Sequence, residues 1–250
     1  MSGHSKWSKV KRFKGAIDTK RGALFSKLSK EISIAAKTGG DPSANPRLRS
    51  AILAARSQSM PNDNVERAIK RGTGEDAEAQ HFEEIVYEGY APGGVAVIVE
   101  AATDNKNRTA AELRSIFSKN HGNLAASGSV SYMFHKKGQI SVPRAPIDEE
   151  RLFELALEAG ADELTTEEDQ YLITTSHDQL YAVAEALKHA GVTIDGQKFT
   201  FIPDTTVPVA DEATALQVLR LCDSLEDDDD VQNVYSNLDI PDELLAKLPA

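Results

Sequence analysis

The side chains best suited to chemistry lie near the amino end of the chain, where basic residues alternate with Trp7, Val10 and Phe13. Lysine and arginine neutralise phosphates, and a flat indole ring can stack on a base. The first thirty residues contain nine Lys and Arg against a single carboxylate. A small residue allows close backbone approach, and neighbouring polar side chains can hydrogen-bond to phosphate or base. The predicted nucleic-acid-binding arm comprises Gly3, His4, Ser5, Lys6, Trp7, Lys9, Lys11, Arg12 and Lys14.

The distribution of charge along the chain supports this prediction. Residues 1–74 contain 16 Lys and Arg against 5 Asp and Glu, a net charge of +11, whereas the remainder contains 12 against 34, a net charge of −22. Such asymmetry indicates a basic module for a polyanion joined to an acidic body, which would repel nucleic acid and restrict its approach to one face.

Other chemistry is less well supported. A hydrolase would use Asp104 and Lys106 as acid–base partners with Arg108 on an anion, but the segment is far more typical of a polar loop with Asn107 or Thr109 as the N-cap of the next helix. The histidines lack metal-ligand spacing, the paired glycines lack the Lys-Ser/Thr of a phosphate loop, and the run 226–230 is expected to be a solvated connection. We therefore predict no catalytic residue, metal, cofactor or small-molecule substrate.

The elements that must position the basic residues are predicted to be three helices. Apolar residues at three- and four-residue spacing indicate a helix from Lys20 to Thr38. Asn45-Pro46 predicts the N-cap of a second helix, ended by Met60-Pro61, and Asp63-x-x-Glu66 predicts a capping box for a third that ends at Gly72. On the faces opposite or beside the apolar stripes, the predicted site continues with Lys20, Arg21, Lys27, Lys30, Lys37, Arg47, Arg49 and Arg56. No helix-turn-helix or zinc-finger spacing and no aromatic-rich RNA-binding strand is evident, and the helix pair around Gly39-Gly40 is too widely separated for a recognition turn. This counts against sequence-specific DNA binding and leaves room for contact with structured RNA.

The rest of the sequence predicts alternating strands and helices. A hairpin (85–90 and 95–101), a helix after residue 109 and a strand at 129–134 come first. A β-α-β-α-β run then lies between proline-rich segments, and a last helix and strand at 211–225 and 231–235 complete the first unit if the middle is an insertion. The single cysteine, Cys222, fits a reducing, cytoplasmic setting, and no apolar run approaches the roughly 20 residues that a membrane span needs.

Many motifs of this chain resemble those of the YebC/PmpR family over essentially the whole length. Only His121 and Ala125 depart from it, at positions where the family pattern leads us to expect glycine. The motifs that carry the resemblance are Gly3-His4-Ser5-Lys6-Trp7, Asp18-x-Lys20-Arg21-Gly22, Asp41-Pro42-x-x-Asn45-Pro46-Arg47-Leu48-Arg49, Met60-Pro61-x-Asp63-Asn64, Arg67-Ala68-Ile69-Lys70-x-Gly72, Tyr87-Glu88-Gly89-Tyr90-x-Pro92-Gly93-Gly94, Thr103-Asp104-Asn105-x-Asn107-Arg108-Thr109 and Gly122-Asn123-Leu124-x-x-x-Gly128-Ser129-Val130.

The resemblance implies an α+β multi-domain protein, with an N-terminal helical bundle followed by two α+β domains, the third inserted into the second. We predict a bundle with its arm at 1–76, a discontinuous domain at 77–136 and 206–250, and an inserted domain at 137–205. Family members are described as probable transcriptional regulators that bind DNA, and others as ribosome-associated translation factors linked to stalling at proline-rich stretches. We therefore expect a non-enzymatic regulator whose partner is DNA, with ribosomal RNA and the ribosome as the alternative.

Overall fold

The computed structural model describes residues 21–75, 81–145 and 147–245. Its first element is the predicted helical bundle, in which Ile32, Leu48, Ala55 and Val65 are buried together. The bundle helices are α1 (Arg21–Ala36), α2 (Pro46–Ser57) and α3 (Asn62–Thr73).

The helix caps of the bundle follow the sequence only in part. Asn45 is confirmed as the N-cap of α2, because its side chain accepts a hydrogen bond from the Leu48 amide. The predicted capping box of α3 is wrong: the helix begins one residue earlier, after Pro61, and has no side-chain cap. It ends one residue beyond Gly72, where Gly74 adopts a left-handed φ of 79°.

Close contact between α1 and α3 holds the bundle together. The Ser33 hydroxyl donates to the Ala68 carbonyl at 2.9 Å. A Cβ added to Gly72 would lie 2.1 Å from the Ser33 carbonyl oxygen and 2.7 Å from the Ala36 Cβ, so the backbones touch here. Ser33 of α1 contacts Ala68 of α3, and Ala36, later in α1, contacts Gly72, later in α3, so the two helices run in the same direction.

A four-stranded sheet with the strand order β3-β1-β2-β9 follows the bundle. The first two strands form the predicted antiparallel hairpin, and the last strand pairs antiparallel with β2. The late helix and strand therefore complete the early unit, which confirms that the region between them is an insertion. The elements of this unit are β1 (Glu83–Tyr90), β2 (Ala96–Thr103), α4 (Lys106–Lys119), β3 (Asn123–Leu124), α7 (Glu212–Glu226) and β9 (Val231–Ser236).

The inserted region forms a second four-stranded sheet with the strand order β5-β6-β4-β7 and two helices. Its β-α-β-β-α-β sequence is that of a split β-α-β unit. Buried residues of both helices, such as Leu152 and Leu187, pack on Ile140 and Ile173 of the sheet. The elements are β4 (Phe134–Pro143), α5 (Glu149–Glu158), β5 (Glu163–Thr166), β6 (Gln170–Ser176), α6 (Leu180–His189) and β7 (Gly196–Pro203). Short elements complete the described chain: β8 (Val207–Pro208), β10 (Leu238–Asp239) and α8 (Asp242–Leu245).

The segment 120–134 differs from its prediction. The expected strand at 129–134 is wrong, because Ser131–Met133 forms a 3-10 turn and the strand begins only at Phe134. The buried Glu88 carboxylate organises this loop by accepting hydrogen bonds from the amides of Gly128, Val130 and Ser131, each at 2.7–2.8 Å. His121 has a φ of 61°, a conformation that favours glycine, which gives a physical reason for the glycine expected there.

The chain divides into two compact units. Residues 135–202 form one unit, and the described residues before 135 and after 202 form the other, which therefore includes both the bundle and the first sheet. No helix within 21–75, 81–145 or 147–245 is long and apolar enough to cross a lipid bilayer. The domain boundaries predicted at residues 76, 136 and 205 stay predictions.

Candidate nucleic-acid interface

The described chain starts after the whole of the predicted arm. Arg21 is the first described residue, and its side chain is likewise outside the description. The arm therefore stays a prediction. The predicted site residues that lie outside the described residues are Gly3, His4, Ser5, Lys6, Trp7, Lys9, Lys11, Arg12, Lys14 and Lys20.

The three predicted lysines of α1 do not form an open basic face. Lys30 is only 7 % exposed, and its ammonium group lies 2.7 Å from Asp230 Oδ1 and 2.8 Å from the Asp229 carbonyl oxygen. The Lys27 ammonium donates to the Glu226 carbonyl at the C-terminal end of α7, and the Lys37 ammonium donates to the Phe82 carbonyl. Lys30 is buried and Lys27 half-buried against the first α+β unit, whereas Lys37 is exposed, so this unit covers part of the face opposite the bundle core.

The acidic run 226–230 is likewise not a solvated connection throughout. Asp230 is buried and also accepts from Arg108 Nη2 at 2.7 Å and from the Thr109 hydroxyl at 2.8 Å. Burial alone would raise the pKa of the Asp230 carboxyl, but hydrogen bonds from Arg108, Lys30 and Thr109 outweigh it and lower this pKa to about 2. The loop thus joins α1 to α4.

Carboxylates of this region also form the one group with metal-like spacing among the residues that the structure describes. Ligand atoms of Glu112, Asp228 and Asp230 lie within 4.8 Å of one another. Two cations, Lys30 and Arg108, already neutralise Asp230. The arrangement therefore fits an ion-pair network better than a metal site.

The geometry of the Asp104 loop does not favour the hydrolase hypothesis. Asp104 pairs with Arg108 at 2.9 Å, whereas Lys106 pairs with Glu83 at 2.6 Å. Hydrogen bonding to the Glu83 carboxylate raises the pKa of Lys106, so the amine is held in its protonated form and is less available as a general base. The N-cap of α4 is Asn105, whose side chain accepts from the Arg108 amide at 3.1 Å, and neither Asn107 nor Thr109 has that role.

The predicted arginines of α2 have different environments. Arg47 forms ion pairs with Glu31 and Glu84, and although burial alone would lower its pKa, the two carboxylates raise it and hold the guanidinium charged. Arg49 donates to the carbonyls of Pro42 and Ser43 at 3.1 and 3.2 Å. Arg56 is exposed on the helix surface. Arg47 therefore serves first to join the bundle to β1.

A groove of 340 Å³ between α1 and α3 brings together basic and aromatic side chains that the sequence prediction missed. The guanidinium carbon of Arg71 lies 5.7 Å from the centre of the Phe82 ring, and the Lys30 ammonium lies 5.3 Å from it. Arg67 is exposed and donates through Nε to the Asp63 carbonyl at 3.2 Å. The four-residue spacing between Arg67 and Arg71 could have indicated from the sequence that both arginines lie on one face of α3, because residues four apart share a helix face. Lining residues include Phe25, Ser26, Lys30, Arg67, Arg71 and Phe82.

The connection between α2 and α3 was also missed. It contains four residues, Gln58 to Pro61, and Ser59 has a left-handed φ of 58°. Met60, Val65 and Ala68 are buried around this turn. The length of this connection is close to the three or four residues that join the two helices of a helix-turn-helix motif.

The comparisons with known proteins agree over the full chain. The sequence profile described as "TACO1/YebC protein N-terminal domain" matches residues 5–75, and the profile "TACO1/YebC second and third domain" matches residues 82–238. A protein of Syntrophus aciditrophicus named "Probable transcriptional regulatory protein" is 53 % identical over 251 residues, covering 100 % of both chains. One of the same name from Treponema pallidum is 55 % identical over 246 residues, covering 98 % of this chain and 100 % of that protein.

The fold is also found in a solved structure. The crystal structure of the conserved hypothetical protein Aq1575 from Aquifex aeolicus has a TM-score of 0.83 and 50 % sequence identity, covering 90 % of this chain and 92 % of that chain. Sequence profiles, full-length relatives and a shared fold lead to one conclusion. The chain belongs to the TACO1/YebC family, whose related members above are named as probable transcriptional regulatory proteins.

Proposed function

We propose that this chain is a non-enzymatic regulator of gene expression that binds nucleic acid through residues 1–76, with DNA as its partner and transcription as the process regulated. The charge asymmetry supports a polyanionic partner, since residues 1–74 carry a net charge of +11. The names of the relatives support a regulatory role.

The observation that carries the choice of DNA is the α2–turn–α3 pair. A recognition helix is commonly joined to the preceding helix by a turn of three or four residues, and the α2–α3 connection has this length, with a left-handed residue at Ser59. The exposed face of α3 carries Asn62, Glu66 and Lys70, which are residue types that read base edges or phosphates. The arm would then hold the neighbouring backbone.

The alternative function is a ribosome-associated translation factor that contacts ribosomal RNA near stalled peptides. A basic–aromatic cluster in the inserted unit favours it. The Phe199 ring stacks on His177 with centroids 4.3 Å apart, and the Lys136 ammonium lies 5.5 Å from its centre. Phe201, two residues further along β7, lies on the same side of the strand, and its ring is also near the Lys136 ammonium group. Cations beside partly exposed rings suit unpaired RNA bases, although Phe199 also packs on Tyr181 of α6.

Sedimentation of the full chain with ribosomes separates these candidates. The lysate is treated with DNase at near-physiological salt, and a variant with Lys6, Lys9, Lys11 and Arg12 all changed to Glu is run beside the native chain. Under the DNA proposal both proteins stay at the top of the gradient, and only the native chain enriches genomic DNA fragments from an untreated lysate. Migration of the native chain with ribosomes, lost in the variant, would instead establish the translation role. A variant with Asp104→Asn and Lys106→Gln is expected to behave as the native chain, whereas its loss of function with the fold intact would favour the hydrolase.

A further inference from the structure

We infer that the groove between α1 and α3 binds one unpaired nucleotide, with its phosphate at Arg67 and Arg71 and its base against the apolar wall that includes Phe82. This inference rests on the proposed binding of nucleic acid and adds the position of a contact and the kind of strand that it takes. The shared ligand chemistry is a phosphodiester next to an unstacked base, supplied by either RNA or DNA.

The dimensions of the groove favour a single nucleotide. Its volume of 340 Å³ lies at the small end of the range of about 300–1,000 Å³ that is typical of small-ligand pockets. A duplex keeps its base faces stacked and offers only edges and phosphates to a protein. An unpaired base can instead lay its face against an apolar wall. Phe25 is half-buried and supplies the accessible apolar surface here, whereas Ala68 and Phe82 also line the groove but are only 2 % and 8 % exposed.

The charge of the groove favours a phosphate. Lys30 is neutralised by Asp230 at 2.7 Å, so the net positive charge of the lining comes from Arg67 and Arg71. A guanidinium has five donors in a planar fork that matches phosphate oxygens. Arg67 donates only to uncharged oxygens of its own helix, those of Asp63 and Asn64, and Arg71 lies beside the Phe82 ring. Both cations therefore lie next to the surface on which we place the base.

The walls of the groove are held in place before any ligand arrives. The Ser33–Ala68 hydrogen bond and the close approach at Gly72 fix the distance between α1 and α3. Lys30 is held by Asp229 and Asp230. A preformed site avoids the ordering cost that weakens binding by flexible surfaces.

The test compares the full native chain with two variants in binding to fluorescein-labelled probes. The probes are a single-stranded RNA hexamer, a DNA hexamer of the same sequence and a 12-base-pair duplex. The groove variant is R67Q/R71Q, and the matched control is R114Q/K119Q, which removes two charges from the exposed surface of α4, outside the groove and outside residues 1–76. We expect the groove variant to bind the hexamers at least tenfold more weakly than R114Q/K119Q does, with a difference of less than threefold on the duplex. A larger loss on one hexamer identifies RNA or DNA as the preferred source.

A second variant, Ser26→Trp, places an indole in the groove without removing charge, and it is expected to weaken hexamer binding while leaving duplex binding unchanged. Circular dichroism checks that each variant is folded. If R67Q/R71Q and S26W bind the hexamers within threefold of R114Q/K119Q while the native chain binds all probes, the groove inference is wrong and the proposed function stands. Failure of the native chain to bind any probe would overturn both.

Discussion

The buried ion pair between Lys30 and Asp230 allows a quantitative prediction for the joint between the bundle and the first sheet. The change is Asp230→Asn, which keeps the shape of the side chain and removes its charge. Lowering the carboxyl pKa from 3.8 to about 2 corresponds to about 2.4 kcal/mol in favour of the ionised form. The side chains are only 9 % and 7 % exposed, so solvent screens the pair weakly.

Hydrogen exchange followed by mass spectrometry measures this loss where it occurs. Arg108, Lys30 and Thr109 share this 2.4 kcal/mol, so its loss accelerates exchange of the protected α1 amides by at most about 50-fold at pH 7 if those amides exchange when the joint opens. The matched control, Asp227→Asn, changes an exposed carboxylate of the same loop and is expected to leave the exchange rates within twofold of the native values.

The pH dependence gives an independent check of the same reasoning. Because folding lowers the pKa of Asp230, its contribution is fully present well above pH 3.8 and is lost as the pH falls towards 2. The native chain should therefore lose α1 protection over this interval, and the Asp230→Asn chain should lose correspondingly less. Native-like α1 exchange in Asp230→Asn at pH 7 would refute the claim that this pair stabilises the joint.

Two further substitutions test the packing of the same unit. Gly72→Ala places a methyl group 2.1 Å from the Ser33 carbonyl oxygen, so it is expected to destabilise the bundle by about 3 kcal/mol. Gly74→Ala meets no atom within 4 Å and should cost about 1 kcal/mol because of the left-handed φ at this position. Urea unfolding compares the two variants, and equal losses of stability would contradict the close approach of α1 and α3 at Gly72. Burial would raise the pKa of Glu88, but hydrogen bonds from three backbone amides lower it. Glu88→Gln should therefore lower the stability by about 2 kcal/mol at pH 7 and accelerate hydrogen exchange at the amides of Gly128, Val130 and Ser131. Unchanged exchange at these amides would contradict the role of Glu88 in anchoring the loop.

The sequence predicted the helices well where a local signal was sufficient. The apolar stripe of α1 and the Asn45 cap of α2 depend on neighbours within one or two turns, and both are found in the structure. The short strands β3 and β5, of two and four residues, carry too few residues for a periodic pattern and were missed. Asn105 is the N-cap of α4 because the helix begins at Lys106. The sequence contains two asparagines here, Asn105 and Asn107, and their residue type alone did not show which of them caps the helix.

The candidate site was predictable in composition but not in geometry. Helical periodicity placed Lys30 opposite the bundle core, but only tertiary structure shows that Asp230, two hundred residues away, covers that face. The groove escaped prediction for the same reason, since Phe82 reaches α1 and α3 from beyond the bundle. Local pattern identifies which side chains are polar or charged, whereas long-range packing decides which of them can meet a ligand.

The central claim is that the basic residues of the N-terminal module bind the phosphate groups of nucleic acid. The salt dependence of binding tests this claim most directly. The affinity of the full chain for a 20-base-pair duplex is measured across a range of salt concentrations, beside the variant with Lys6, Lys9, Lys11 and Arg12 changed to Glu. Five phosphate contacts by the basic residues between positions 6 and 14 predict a slope of log K against log salt of about −4.5. We expect that slope for the native chain and no measurable binding for the variant. A native slope shallower than about −1, or equal slopes for both proteins, would contradict the account.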